Sequence, residues 1–189
     1  MTDAQQFKDV VAYIDALAKD PTLAIVSKKM AGVALGITRP AIAARIKNGS
    51  LATIEIGGAK HPRASALISA RAQELSEITI IREFLEGIAA RREVVTYEPV
   101  MGLLGMKTDN PHHRTKIGIL LGELSRATYY ENGILLSVLV HLKKPTGRSR
   151  PSSAFDKLID EFDLDVPNVA AFIDEEIEEV WELYANKTA

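Results

Sequence analysis

Residues 27–63 are punctuated at Gly36, at Asn48-Gly49 and at Gly57-Gly58, so this stretch has room only for short helices and one tight hairpin. Ser27 is a good N-cap for a helix over residues 28–35, in which Met30, Val33 and Ala34 are expected to face a core. Gly36 can take the positive φ that ends it. Thr38-Arg39-Pro40 then reads as a cap and first helical residues, since a first-turn amide has no intrahelical partner for proline to remove. That second helix runs to about Lys47, with Ile42 and Ile46 turned inward. Residues 51–56 alternate like a half-buried strand, Gly57-Gly58 is a hairpin signal, and residues 59–63 form the return strand. The order is helix, turn, helix, hairpin.

The charge is as uneven as the punctuation. The whole chain of 189 residues carries a formal net charge of −2. Residues 21–73 hold eight bases (Lys28, Lys29, Arg39, Arg45, Lys47, Lys60, Arg63, Arg71) against the single acid Glu55, a net of +7. Residues 1–20 carry −2 and residues 74–189 carry −7. A strongly basic block inside a near-neutral chain points to an anionic partner, nucleic acid before a membrane surface.

The run Val26-Ser27-Lys28-Lys29-Met30-Ala31-Gly32-Val33-Ala34-Leu35-Gly36-Ile37-Thr38-Arg39-Pro40-Ala41-Ile42, followed by Arg45-Ile46-Lys47-Asn48-Gly49-Ser50-Leu51, resembles the excisionase/MerR-like winged helix-turn-helix. Residues 54–63 stand where its wing would be, and the resemblance covers about 45 residues, roughly 22–68, of the 189. It implies binding to double-stranded DNA by a bacterial or prophage regulator or architectural factor. The second helix would enter the major groove with Thr38, Arg39, Arg45 and Lys47. Lys28 and Lys29 would touch the backbone from the first helix, and Lys60, His61 and Arg63 would act from the wing. The chemistry of the residues agrees: an exposed helix face bearing arginines and lysines offers donors to base edges and phosphates.

Elsewhere the pattern is mainly helical. Phe7, Val10, Val11, Ile14 and Leu17 predict an amphipathic helix over residues 4–19. Residues 64–90 are helical, with a break expected near Ser76. Further helices are expected over 98–104, 114–131, from Ser152 or Ser153 onward with Phe155, Leu158 and Ile159 inward, and over 169–184. The apolar, β-branched run 134–142 reads as a buried strand. The expected architecture is mainly α with small β-hairpins, an α+β chain. It comprises a helix plus a winged helix-turn-helix over 1–75, a connecting helix over 76–92 and a C-terminal α+β domain over 93–189 with an acidic terminal helix.

The C-terminal half, with Val95-Thr96-Tyr97-Glu98, Leu103-Leu104-Gly105 and a strand before a basic loop, faintly resembles the winged-helix part of alkyltransferase-like DNA-binding domains. Lys143, Lys144, Arg148 and Arg150 would then form a second DNA-facing wing. The chain has no cysteine, so the nucleophile of those enzymes is absent, as are disulfides and thiolate metal sites. On the last helix Phe172, Ile173, Ile177, Val180, Trp181 and Tyr184 share a face that could pack within its own domain or dock a second copy, while Asp174, Glu175, Glu178, Glu179 and Glu182 lie largely off it.

No catalytic residue, metal or cofactor is assigned, because Gly-rich phosphate loops, Gly-x-Ser-x-Gly and zinc-type His spacing are all missing. The acidic, polar residues 1–6 do not resemble a targeting leader and no stretch is apolar enough to span a membrane, so a cytoplasmic location is expected. Three alternatives remain at this level. The chain could be the DNA-recognition subunit of a phage packaging or recombination complex. It could be a metal-dependent nuclease using Glu93, Glu98 or Asp109 within 93–165, or a module that offers its acidic C-terminal region to a basic protein.

Overall fold

The computed structural model describes residues 5–143 and 149–185. They form two compact units, Met1–Leu75 and Ser76–Ala189. The chain is mainly helical with two small sheets.

In the N-terminal unit the first element is a strand, β1 (Gln5–Phe7), followed by α1 (Val10–Leu17). This corrects the single helix expected over 4–19. Residues 5–7 instead pair in parallel with β2 (Thr53–Ile56), Gln5 opposite Ile54 and Phe7 opposite Ile56. The carboxylate of Asp9 then starts α1 by accepting from the Ala12 amide at 2.9 Å. The helix buries Tyr13 beside Leu23, Ile54 and Ile56. Val10, Val11 and Ile14 are left in solvent. The Tyr13 hydroxyl donates to the Leu23 carbonyl, which satisfies its one polar group inside that cluster.

Helix α2 (Lys28–Ala34) is capped by Ser27, whose hydroxyl accepts from the Met30 amide, and α3 (Arg39–Lys47) by Thr38, which accepts from the Ala41 amide. Ala31, Leu35, Ile42, Leu51 and Leu67 make the core between them. Met30, Val33 and Ala34 face outward, opposite to the expectation, because Ala31 and Leu35 share the other side of the helix and are the pair that meets Ile42. The hairpin of β2 and β3 (Ala59–Pro62) turns on Gly57 (φ 54°) and Gly58 (φ 81°). Two successive positive φ angles suit glycine and match the twist of a two-residue hairpin.

The turn between α2 and α3 depends on Gly32. A Cβ built there would lie 2.8 Å from the Ile37 carbonyl oxygen, a backbone atom, while the Ile37 amide donates to the Gly32 carbonyl at 3.0 Å. Gly32→Ala is therefore expected to destabilise the N-terminal unit by about 1 to 2 kcal/mol, the overpacking cost exceeding the ordinary helical gain of alanine over glycine. Denaturant midpoints check this, and an alanine variant more stable than the parent would refute the packing argument.

Helix α4 (Ala64–Ala90) runs through Ser76 without a break. An N-cap needs extended backbone, whereas Ser76 stands between the good helix formers Ala70–Leu75 and Glu77, with no glycine or proline beside it to interrupt the helix. In the C-terminal unit α4 is followed by β4 (Val95–Thr96), α5 (Tyr97–Leu103), α6 (Pro111–Asn132), β5 (Val140–His141), α7 (Ser153–Glu161) and α8 (Val169–Ala185). The core gathers Ile81, Leu85, Leu120, Leu124, Leu135 and Val180.

Residues 134–142 are not one strand. Residues 134–141 are buried, yet only Val140–His141 pairs, in parallel with β4, after a 3-10 turn at Leu136–Leu139. Side chains of neighbouring helices occupy the amides a ladder would have used. Glu176 accepts from the Leu135 amide, Thr128 from that of Leu136 and Ser125 from that of Ser137. With those donors satisfied, no adjacent strand is required.

Candidate nucleic-acid interface

Each predicted contact residue can be placed from its element. At about 100° per residue, Ile42 and Ile46 turn α3 toward the core, Ala44 and Lys47 lie on the outward side, Ala43 and Arg45 project from opposite flanks and Arg39 from the first turn. Arg39, Arg45 and Lys47 are all exposed. The Thr38 hydroxyl caps the helix, so its acceptor is committed to the Ala41 amide. The two small alanines permit close approach of this face to a partner surface. Ser50 and Leu51 fasten the far end by donating to the Arg45 carbonyl.

Lys28 begins α2 half-buried and Lys29 is exposed beside it. Lys60 is exposed on the return strand of the hairpin, and His61 is half-buried in the register opposite Ile54. Arg63 is partly withdrawn from solvent: its guanidinium donates to the Gln5 side-chain carbonyl at 2.6 Å. That bond ties residue 63 to β1 and was invisible in the sequence, because the partner lies in a segment expected to be helical.

Among the described residues, Lys28, Lys29, Arg39, Arg45, Lys47 and Lys60 form no ion pair. The C-terminal unit is organised in the opposite way. Arg82 meets Glu86 and Glu131, Lys116 meets Glu77, Arg126 meets Glu123 and Glu161, Arg91 meets Glu93, and Arg92 meets Glu178. The Arg126 pair holds the Glu161 carboxyl below its ordinary range through a charge-assisted hydrogen bond. In the N-terminal unit Arg71 meets Glu74, but the six cations above have no acid partner among the described residues, whereas most arginines of the C-terminal unit are paired.

Of the four bases expected in a second wing, Lys143 is exposed, while Arg150 donates to Asp156 at 2.6 Å. Lys144 and Arg148 lie outside the described residues. Arg150 therefore spends part of its charge on α7. On α8, Ile173, Ile177, Val180 and Tyr184 are buried in the core of their own unit, with Phe172 and Trp181 packed half-buried against it. The face considered for a second copy is covered by the chain itself. Glu176, which the sequence reading assigns to neither face, lies within it at 5% exposure, and burial pushes its carboxyl up to about 7.

The adjacent His112 and His113 serve the turn before α6. His113 Nδ1 accepts from the Lys107 amide and Asn110 caps the helix through the His112 amide. Among the described residues no group of three His, Asp or Glu side chains is placed to hold a metal ion, Glu93, Glu98 and Asp109 included. No described helix is long and apolar enough to cross a membrane. Comparison with protein-family models, curated proteins and solved structures finds no match to this chain.

Proposed function

We propose that the chain binds double-stranded DNA through its N-terminal unit, as a winged helix-turn-helix acting by binding, in the role of a regulator or architectural factor. Helix α3 presents Arg39, Arg45 and Lys47 to the major groove, with Ala43 and Ala44 close enough to meet thymine methyl groups. Lys28, Lys29 and the hairpin residue Lys60 take phosphates on either side.

The observation that supports this most directly is the absence of acid partners for those six cations among the described residues, while the arginines of the C-terminal unit are largely paired. Unpaired, clustered cations carry a self-repulsion that a polyanion relieves, and counterion release supplies the driving force. Base-reading groups are few on α3, so phosphate contacts should provide most of the affinity.

The test is fluorescence anisotropy of the full chain with labelled duplex DNA between about 50 and 200 mM salt. Four to six phosphate contacts predict a slope of log K against log salt of about −4 to −5. No binding at the lowest salt, or a flat slope, refutes the reading.

A further inference from the structure

The dipeptide Asn-Gly occurs twice in the chain, at residues 48–49 and 132–133, and both pairs are exposed at the end of a helix. An asparagine amide is open to attack by the next backbone nitrogen, above all when glycine follows and places no Cβ beside that nitrogen. Ring closure requires rotation of the peptide that follows the asparagine. The bonds that this rotation must break differ between the two places.

Around Asn132 the backbone is held tightly. The Gly133 amide donates to the Tyr129 carbonyl at 2.8 Å, the Ile134 carbonyl accepts from the Thr128 hydroxyl at 2.8 Å, and Ile134 and Leu135 are buried. Turning that peptide would draw the chain out of its core. Around Asn48, which stands just past the last residue of α3, the restraints are weaker. The Gly49 amide reaches the Ile46 carbonyl at only 3.3 Å, the Leu51 amide donates to the Arg45 carbonyl at 3.2 Å, and Ser50 is exposed. The Asn48 side chain is folded forward over the following peptides, its Oδ1 accepting from the Ser50 amide at 3.0 Å and from the Ser50 hydroxyl at 2.7 Å. Two donors on that oxygen draw electron density from the amide carbon and stabilise charge that develops there during attack.

We propose that Asn48 is a site of spontaneous deamidation, with water as the co-reactant, and that its product weakens the DNA contact of α3. The Gly49 nitrogen bonds to Asn48 Cγ and gives up its proton, the Cγ–Nδ2 bond breaks, and ammonia leaves behind a cyclic imide. Water then opens the ring. Cleavage between Cγ and the Gly49 nitrogen yields aspartate, and cleavage at the main-chain carbonyl yields isoaspartate, in which the chain runs through Cγ. Either product sets a carboxylate one residue past Lys47 and three past Arg45, at the negative end of the α3 dipole. The effect on DNA rests on the function proposed above, whereas the chemistry at residue 48 does not.

The full chain is held for several days in mildly alkaline buffer and digested, and the two Asn-Gly peptides are read by mass spectrometry for exchange of amide for acid. In the folded chain residue 48 is expected to convert about tenfold faster than residue 132, or more. In guanidinium chloride, which removes the fold, the two should convert at similar rates. Equal rates in the folded chain, faster conversion of residue 132, or an Asn48 that converts only in denaturant overturns the proposal. Asn48→Asp, one of the two products made directly, should bind duplex DNA about two- to fivefold more weakly than the parent, the scale of one exposed charge interaction. Unchanged affinity overturns the effect on DNA. A parent chain that binds no duplex at all refutes the DNA reading and with it this consequence, while the mass measurement decides the modification by itself.

Discussion

Replacing Arg39, Arg45 and Lys47 together with alanine is expected to weaken duplex DNA binding on the order of a hundredfold or more, at unchanged thermal stability. Each removed contact is worth about 1 kcal/mol or more, and about 1.4 kcal/mol corresponds to tenfold. Three lost phosphate or base contacts should also flatten the salt slope by about 3. Stability should hold because all three side chains are exposed and none forms an ion pair among the described residues. Lys107 and Lys157, exposed on the C-terminal unit, provide the control. Their replacement removes as much charge per residue from the chain, so a nonspecific attraction to total charge would respond to it, whereas a site on α3 would change little. Equal effects of the two sets, or binding unaltered by the triple replacement, would sink the assignment of α3 as the DNA-contacting helix.

What the sequence made legible follows a physical division between local and remote causes. Ser27 and Thr38 cap their helices as expected because capping is settled within three residues, and Gly57-Gly58 turns the hairpin because positive φ is a property of the residue itself. The free cations were readable for a related reason, since charge survives any fold and their acid partners are missing from the segment itself.

Errors arose where a partner lay far along the chain. Phe7 looked helical beside Val10 and Val11, but it pairs with Ile56. Residues 134–142 looked like a strand, but Ser125, Thr128 and Glu176 take their amides. Met30 and Val33 share one side of α2, but Ile42 meets Ala31 and Leu35 on the other. The contact between His141 and Ser149 belongs to the same class, since no periodicity announces that the chain returns there.

Glu176 turns that lesson into a measurable quantity, because Glu176→Gln is expected to raise the stability of the C-terminal unit above pH 7. The carboxyl is buried on α8 and accepts from the Leu135 amide. Loss of solvation pushes it up to about 7 from the 4.5 of an unhindered glutamate, outweighing that hydrogen bond, with repulsion from Glu179 a smaller push in the same sense. Between these two values the folded unit holds a proton that the unfolded chain releases. The stability linked to that proton is fully present below 4.5 and is lost as pH rises through 7.

Glutamine keeps a carbonyl oxygen for the Leu135 amide and cannot ionise. The variant should therefore be more stable than the parent at pH 8, by roughly 1 to 3 kcal/mol, with the two curves converging near pH 5. Urea midpoints across that range read the difference directly. Parallel pH profiles for the two proteins would show that Glu176 is already charged inside the fold, and that Leu135 binds a carboxylate there at no net cost.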